Sequence, residues 1–286
     1  MAEIIKGADV ACSIKKELSA LISDNRLSPC LLLVSVGDDD SNTAYIRGIR
    51  KTCSELGIEL KETVFPMDID QKDFDSEFTA LNRDDSVDGI LLLRPLPSHL
   101  EERHAADIID PAKDIDCMSP YNWAMLAMGD PDGFYPCTAE AVIKICDHAG
   151  IDINGKKAVI IGRSKVIGRP AGLLFLSRNA TVTWCHTRTK DIAQMCRGAE
   201  ILVSACGQAE LIGESIAKGI DPSCIAIDVG VNFKDGKMKG DFVFDEVARY
   251  ASMITPVPGG VGAVTNTILA AHTVSAALKK NSGMNK

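Results

Sequence analysis

Residues 158–189 hold the first arrangement in this sequence that can do chemistry. Ala158-Val159-Ile160-Ile161 is a short apolar run of the kind that makes a buried parallel strand, and Gly162-Arg163-Ser164-Lys165-Val166-Ile167-Gly168 follows at once. Gly162 permits a tight turn off the strand, and Gly168 permits close packing of the helix expected over Ala171 to Leu176. Ser164 stands where the common G-x-G-x-x-G pattern has its second glycine. Its hydroxyl and the backbone N–H groups at the helix start are candidates to hold a pyrophosphate. Ala180 to Cys185 reads as the next strand, and strand, glycine turn, helix and strand within about 30 residues is the βαβ unit of a doubly wound sheet. An NAD site usually ends this second strand in an acid that holds the ribose 2′-hydroxyl. Here it ends in His186-Thr187-Arg188-Thr189, with Arg163 a further cation in the turn. Two arginines and hydroxyls without an acid suit a 2′-phosphate, which predicts NADP as cofactor.

The whole chain constrains what else is possible. At 286 residues, 46% of them apolar, it can fill more than one core. A net charge of −8 argues against a general nucleic-acid or anionic-membrane surface, though not against a small anionic ligand. The 10 cysteines are scattered without a C-x-x-C and the 5 histidines form no H-x-x-x-H pair, so no metal site is expected. Reduced, buried thiols in a cytoplasmic protein are the expectation, and charged residues interrupt the N-terminus where a signal peptide would be apolar. Residues 251–278 lack Lys, Arg, Asp and Glu, but Pro256-Val257-Pro258-Gly259-Gly260-Val261-Gly262 breaks the run. A ligand-facing loop followed by a short packed helix is expected there, with no membrane span.

The elements that position these residues follow from periodicity. Val10, Ile14, Leu18, Leu21 and Ile22 recur at helical spacing, so the chain is expected to open with a helix. Strands are expected over 31–36, 59–65 and 87–93, and helices over 43–56 and 72–81, with a polar turn at 37–42. This β-α-β-α-β series makes the first half an α/β layer of its own. Residues 107–121 read as a polar connection and 139–149 as a helix. After the glycine turn, 201–205 and 225–228 are the third and fourth strands, ending in small-residue turns at Cys206-Gly207 and Val229-Gly230-Val231-Asn232. Turns at strand carboxyl ends are where such a sheet binds its ligand. A last helix over 265–280 is expected to return to the first half.

Together these motifs resemble the methylenetetrahydrofolate dehydrogenase/cyclohydrolase family, the FolD proteins, over essentially the whole chain. The resemblance is carried by Tyr45 and its helix, Gly89-Ile90-Leu91 before Pro95-Leu96-Pro97, and Lys113-Asp114-Ile115-Asp116. It continues through Pro136-Cys137-Thr138, Gly162-Arg163-Ser164, Asp228-Val229-Gly230 and the highly specific Thr255-to-Gly262 motif. It implies two α/β domains with a cleft between them. Residues 1–138 plus 265–286 would form a folate-binding catalytic domain, and 139–264 a Rossmann-type NADP-binding domain. It also implies tetrahydrofolate derivatives as substrates, a cytoplasmic homodimer, and no nucleic-acid or membrane partner. Catalytic roles are implied for Tyr45 and Asp116, and folate contacts for Tyr45, Leu93, Asp116, Pro256, Gly259, Gly260 and Thr265. Cofactor contacts are implied for Gly162, Arg163, Ser164, Gly168, Thr187, Arg188, Cys206, Gly207 and Val231.

Family members oxidise methylenetetrahydrofolate with NADP and then hydrolyse the methenyl product to 10-formyltetrahydrofolate. In the family pattern a lysine four residues after the tyrosine is the general acid/base of hydrolysis, and a glutamine ending the third strand supports it. Here those positions are Ile49 and Leu93, and Lys51 stands roughly 200° round the helix from Ile49. Arg94, Cys117 (for a glycine), Ala139 (for a proline) and Ala263-Val264 (for Pro-Met) are further departures. Hydride transfer chiefly needs alignment, whereas hydrolysis needs a titratable group in place. The expected function is therefore an NADP-dependent dehydrogenase with weak or lost cyclohydrolase activity. The alternatives are a bifunctional enzyme using Arg94 or Lys51, and a non-catalytic folate- or nucleotide-binding regulator.

Overall fold

The computed structural model describes residues 2–37 and 43–283; the expected polar turn at 38–42 lies outside the described residues. The chain begins with a two-residue strand β1 (Glu3–Ile4) and helix α1 (Gly7–Asp24), followed by β2 (Cys30–Val36), α2 (Thr43–Leu56), β3 (Glu59–Phe65), α3 (Gln71–Asn82) and β4 (Gly89–Leu92). Helices α4 (Glu102–Ile108), α5 (Pro120–Met128) and α6 (Cys137–His148) come next. It continues through β5 (Lys157–Ile161), α7 (Gly168–Ser177), β6 (Thr181–Cys185), α8 (Ile192–Cys196), β7 (Ile201–Ser204), α9 (Glu214–Ala217) and β8 (Ile225–Asp228). A hairpin β9 (Asn232–Lys234) and β10 (Lys237–Lys239), α10 (Phe244–Val247), β11 (Met253–Ile254) and α11 (Val261–Asn281) complete it.

Two compact units result. One contains the chain up to Ser13 together with Thr138–Thr265, and the other Ile14–Cys137 together with the chain from Asn266. The expectation that the first 13 residues belong with the first α/β layer is corrected. β1 pairs in parallel with β11, Glu3 opposite Met253 and Ile4 opposite Ile254, and Gly7 N–H donates to the Gly259 carbonyl at 2.8 Å. A two-residue strand is too short to leave a periodic signal. Thr265, expected in the folate domain, is likewise the last residue of the other unit.

The unit built on Ile14–Cys137 has a three-stranded parallel sheet, order β3-β2-β4, with Leu31 between Leu60 and Gly89. The Leu31-to-Val34 run is almost wholly buried, as a central parallel strand covered on both faces requires. Phe74 and Phe78 of α3 stack at 5.6 Å, Phe65 meets Phe74 edge-on, and Leu32, Val34, Ile90 and Leu92 fill the same core. Asp70 caps α3 through Asp73 N–H at 2.8 Å. The 107–121 stretch is more ordered than a connection: α4 ends inside it, α5 begins at its end, and Ile90 N–H donates to the Lys113 carbonyl at 2.8 Å. Residues 113–114 thus run beside β4. At Gly89 an added Cβ would come within 2.8 Å of Ile115 and 3.3 Å of Thr273 on α11, so the glycine admits this close approach.

The other unit carries a parallel six-stranded sheet, order β1-β11-β8-β7-β5-β6. The chain steps from β5 outward to β6, then returns to the far side of β5 as β7. That reversal is the topological switch point of a doubly wound sheet, and it falls between the Gly162 and Cys206 turns. The β9–β10 hairpin closes on Asp235-Gly236, both at positive φ, a signal present in the sequence as Asp-Gly. Helix α11 is not short: it starts four residues before the expected Thr265, at Val261, and runs 21 residues. By length and composition it could cross a membrane, but 67% of its most apolar stretch is buried within the protein.

Candidate active site

At the carboxyl end of β5 the backbone turns at Gly162, with φ +136°, where a Cβ would collide with the Ala205 carbonyl after β7. A Cβ on Gly168 would in turn collide with the Gly162 carbonyl. Both glycines are therefore required for α7 to start this close to the sheet. Ser164 Oγ accepts the N–H groups of Ile167 at 3.1 Å and Gly168 at 3.2 Å. Those two donors, expected to face a pyrophosphate, are thus satisfied by Ser164 itself, leaving its hydroxyl proton to donate outward. Trp184 Nε1 donates to the Gly168 carbonyl at 2.9 Å and covers Gly172, fixing α7 against β6.

Beyond β6 the chain folds into a tight turn. Thr189 Oγ1 accepts His186 N–H at 2.9 Å, and His186 Nδ1 accepts Arg188 N–H at 3.1 Å. Thr187, Arg188, Arg163 and Ser164 are all exposed in this unit, and no acid ends the strand. The closed glycine turn and these exposed cations fit a dinucleotide carrying an extra phosphate.

The β7 turn is organised by a residue that sequence reasoning missed. Asp241, fully buried, accepts the N–H groups of Cys206 at 2.7 Å, Gly207 at 3.3 Å and Gln208 at 2.9 Å. It also accepts Ser204 Oγ–H at 2.8 Å and Asn232 Nδ2–H at 3.0 Å, which ties the turn to the segment after Val231. Asp241 N–H donates to Asp228 Oδ1 at 3.0 Å, and Asp228 is pushed up to about 6 by burial, against its N–H donors. The Cys206 thiol is raised to about 11, again chiefly by burial, so it is no nucleophile. Val231 is 58% exposed beside Gly230, whose Cβ would collide with Asp241. Pro256, Gly259, with φ +104°, and Gly260 lie in this same unit, between β11 and α11. A Cβ on Gly260 would stand 2.5 Å from the Pro256 carbonyl, which makes the loop compact.

In the other unit Tyr45, Leu93, Arg94 and Asp116 come together at the end of β4. Asp116 Oδ1 accepts Cys137 N–H at 3.0 Å, and Oδ2 accepts from Arg94 Nη2 at 3.3 Å. Burial raises the Asp116 carboxyl above the ordinary range while Arg94 and the Cys137 N–H pull it down. Tyr45 is half-buried, and its hydroxyl is pushed well above the usual phenol range by burial and by the negative charge of Asp116. Asp114, two residues earlier, is structural: its buried carboxylate accepts Met118 N–H, Ser119 N–H and Asn122 Nδ2–H. Lys113 Nζ donates to the carbonyls of Asn82 and Asp84. Cys117, at a glycine position of the family pattern, has φ +57°, a left-handed conformation costing about 1–2 kcal/mol for a non-glycine residue.

Ile49 is 1% exposed and Leu93 is buried, so both expected departures are apolar side chains packed into this unit. Lys51 is 75% exposed and, among the described residues, pairs with Glu55 at 3.8 Å. A link missed from sequence is His272 of α11, whose Nδ1 lies 2.8 Å from the Ile115 carbonyl and 3.6 Å from Cys137 Sγ. It braces the turn that carries Asp116.

A doubly wound sheet with a closed glycine turn at its switch point, joined to a second α/β unit, defines a two-domain protein of the dinucleotide-binding class. The catalytic-domain model of tetrahydrofolate dehydrogenase/cyclohydrolase matches residues 5–116, and the NAD(P)-binding-domain model of the same enzymes matches 136–281. The chain belongs to the tetrahydrofolate dehydrogenase/cyclohydrolase family. It is 43% identical to a bifunctional protein FolD of Clostridium kluyveri, over 98% of this chain and 99% of the relative. Among solved structures it resembles the FolD methylenetetrahydrofolate dehydrogenase/cyclohydrolase of Campylobacter jejuni, with 35% identity and a TM-score of 0.93 over 98% and 100% of the two chains. The Trypanosoma brucei methylenetetrahydrofolate dehydrogenase-cyclohydrolase, complexed with NADP cofactor and an inhibitor, is 32% identical with a TM-score of 0.90 over 98% of each chain.

Proposed function

We propose that this protein is an NADP-dependent methylenetetrahydrofolate dehydrogenase that hydrolyses its methenyl product poorly. The observation that carries the second half is Ile49, buried and without a titratable atom where the chemistry of hydrolysis needs a proton carrier. NADP, when bound, accepts a hydride from the methylene carbon. The chain's own part in that step is alignment: Asp116 accepts N–H groups of the pterin, Tyr45 lies against its rings, and Gly162, Gly168, Arg163 and Arg188 hold the nucleotide. Thr187, Cys206, Gly207 and Val231 complete the nucleotide lining, and Leu93, Pro256, Gly259, Gly260 and Thr265 the folate contacts. Of these folate residues, Tyr45, Leu93 and Asp116 belong to the unit built on Ile14–Cys137, and Pro256, Gly259, Gly260 and Thr265 to the nucleotide unit. The Trypanosoma brucei relative's NADP complex supports the cofactor, as does the strand end without an acid.

Hydrolysis asks for more. Water must lose a proton and a ring nitrogen must gain one. Ile49 and Leu93 can do neither. Arg94 is close but stays protonated at any working pH, so it cannot shuttle the proton. Lys51 is out in solvent. A cytoplasmic homodimer is the setting carried over from the family resemblance. The experiment is an absorbance assay with methylenetetrahydrofolate and NADP. NADPH formation with methenyl product accumulating supports the proposal; NADPH without accumulation means hydrolysis is intact, and no NADPH means a binding protein without this activity.

A further inference from the structure

The two oxygens of Asp116 are not equivalent. Oδ1 is flanked by the Cys137 N–H and Oδ2 by the Arg94 guanidinium, and the side chain is still 21% exposed. A carboxylate offers about four acceptor sites. The Cys137 thiol also reaches Asp116 but has the Ile115 carbonyl at 3.2 Å as a second acceptor, so a ligand can take a site on each oxygen beside the Cys137 N–H and Arg94. Arg94 spends one of its five N–H donors on Asp116 and is 25% exposed. Read across, this edge of the site presents a donor (Arg94), an acceptor (Oδ2) and a second acceptor (Oδ1).

We propose that Arg94 is a specificity-determining residue that reads the 4-oxo group of the pterin. The inference rests on the reading that Asp116 holds the pterin. A pterin edge runs C4 carbonyl, N3–H and 2-amino: one acceptor and two donors, the complement of Arg94, Oδ2 and Oδ1 in that order. The arrangement also fixes the orientation, with the carbonyl toward Arg94 and the 2-amino group toward Cys137. A neutral 2,4-diamino ring carries an amine in place of the carbonyl and a lone pair in place of the N3 proton. It therefore offers Arg94 no acceptor at C4 and Asp116 one donor fewer; the change in its binding on Arg94 substitution isolates the first of these. An arginine facing an unpaired donor is the kind of mismatch by which polar sites discriminate most strongly.

The test measures competitive inhibition of the dehydrogenase by tetrahydrofolate and by its 2,4-diamino counterpart in wild type, Arg94→Leu, Arg94→Lys and Asp116→Ala. NADP affinity, followed by fluorescence, reports on the integrity of each variant. Arg94→Leu is expected to weaken tetrahydrofolate by about 10–100-fold, the worth of a hydrogen bond to a charged group, while the diamino compound is unchanged or tighter. Arg94→Lys, retaining charge but not the fork, should fall between. Equal weakening of both compounds, or of neither, overturns the inference and reduces Arg94 to neutralising Asp116. If Asp116→Ala leaves tetrahydrofolate inhibition unchanged, the pterin reading itself is what fails.

Discussion

Tyr45 and Ile49 stand one helical turn apart on the same face of α2, the first half-buried and coupled to the charge of Asp116, the second packed away with 1% of its surface exposed. Helical geometry brings an i, i+4 pair onto one surface, so whatever occupies position 49 is beside whatever binds over Tyr45. An isoleucine there offers shape and no proton. Leu93, buried at the end of β4, gives the same answer from the neighbouring strand. On the proposed reading the site keeps Tyr45 and Asp116 for the folate and has apolar side chains at 49 and 93, where hydrolysis would need a proton carrier and its partner.

The cofactor preference is testable at Arg188, which sits exposed in the turn after β6. Catalytic efficiency should be higher with NADP than with NAD, and Arg188→Ala should raise the KM for NADP while hardly altering that for NAD. A charge-assisted phosphate contact is worth about 1.5–3 kcal/mol, so the loss should be about tenfold or more. Equal efficiency with NAD in wild type would show that the basic strand end does not read a 2′-phosphate.

Asp116→Ala should raise the KM for methylenetetrahydrofolate steeply and leave NADP binding intact, because the proposed role of the carboxylate is toward the pterin and its protein partners, Cys137 and Arg94, lie outside the nucleotide turns. The pH dependence has a definite sign. Burial raises Asp116 above the ordinary carboxyl range and Arg94 opposes the rise. The ionised form accepts the pterin N–H groups, so folate binding should weaken as pH falls through the raised pKa. Arg94→Leu removes the opposing charge and should move this acid limb to higher pH. A limb that stays in place, or moves down, would contradict the assignment.

Asp241 gathers five donors around the β7 turn without touching solvent. Asp241→Asn turns an amide N–H₂ toward some of those donors and removes the charge that attracts them. Its expected cost is on the order of 3 kcal/mol, read by chemical denaturation. At temperatures where the variant is folded, its KM for NADP should rise while its KM for methylenetetrahydrofolate changes little. A parallel rise in both would make Asp241 a general stability residue only.

Much of this was legible in the sequence for specific reasons. The boundaries of α2, β3 and β8 match the periodic signal because each is an amphipathic helix or a regular strand run, and Gly162 announced the turn at the switch point. β1 and β11, two residues each, carry no period, so the attachment of the chain start to the nucleotide unit was invisible. The Pro-Gly loop hid the true start of α11, since its two final glycines already belong with the helix or abut it. Contacts distant in sequence were the other blind spot. Asp241 is 35 residues from Cys206 and Arg94 is 22 from Asp116, and nothing in residue type says which acid an arginine will find.

The decay of methenyltetrahydrofolate above the buffer-catalysed background tests the central claim most directly. Wild type is expected to add little, since loss of a positioned acid/base costs about 10²–10⁴ in rate. An Ile49→Lys, Leu93→Gln double variant is expected to accelerate the decay. Ile49→Lys alone should do less, its amine lying in an apolar pocket without the partner that orients it. Rapid decay with the wild-type protein, unchanged by these substitutions, would contradict the account.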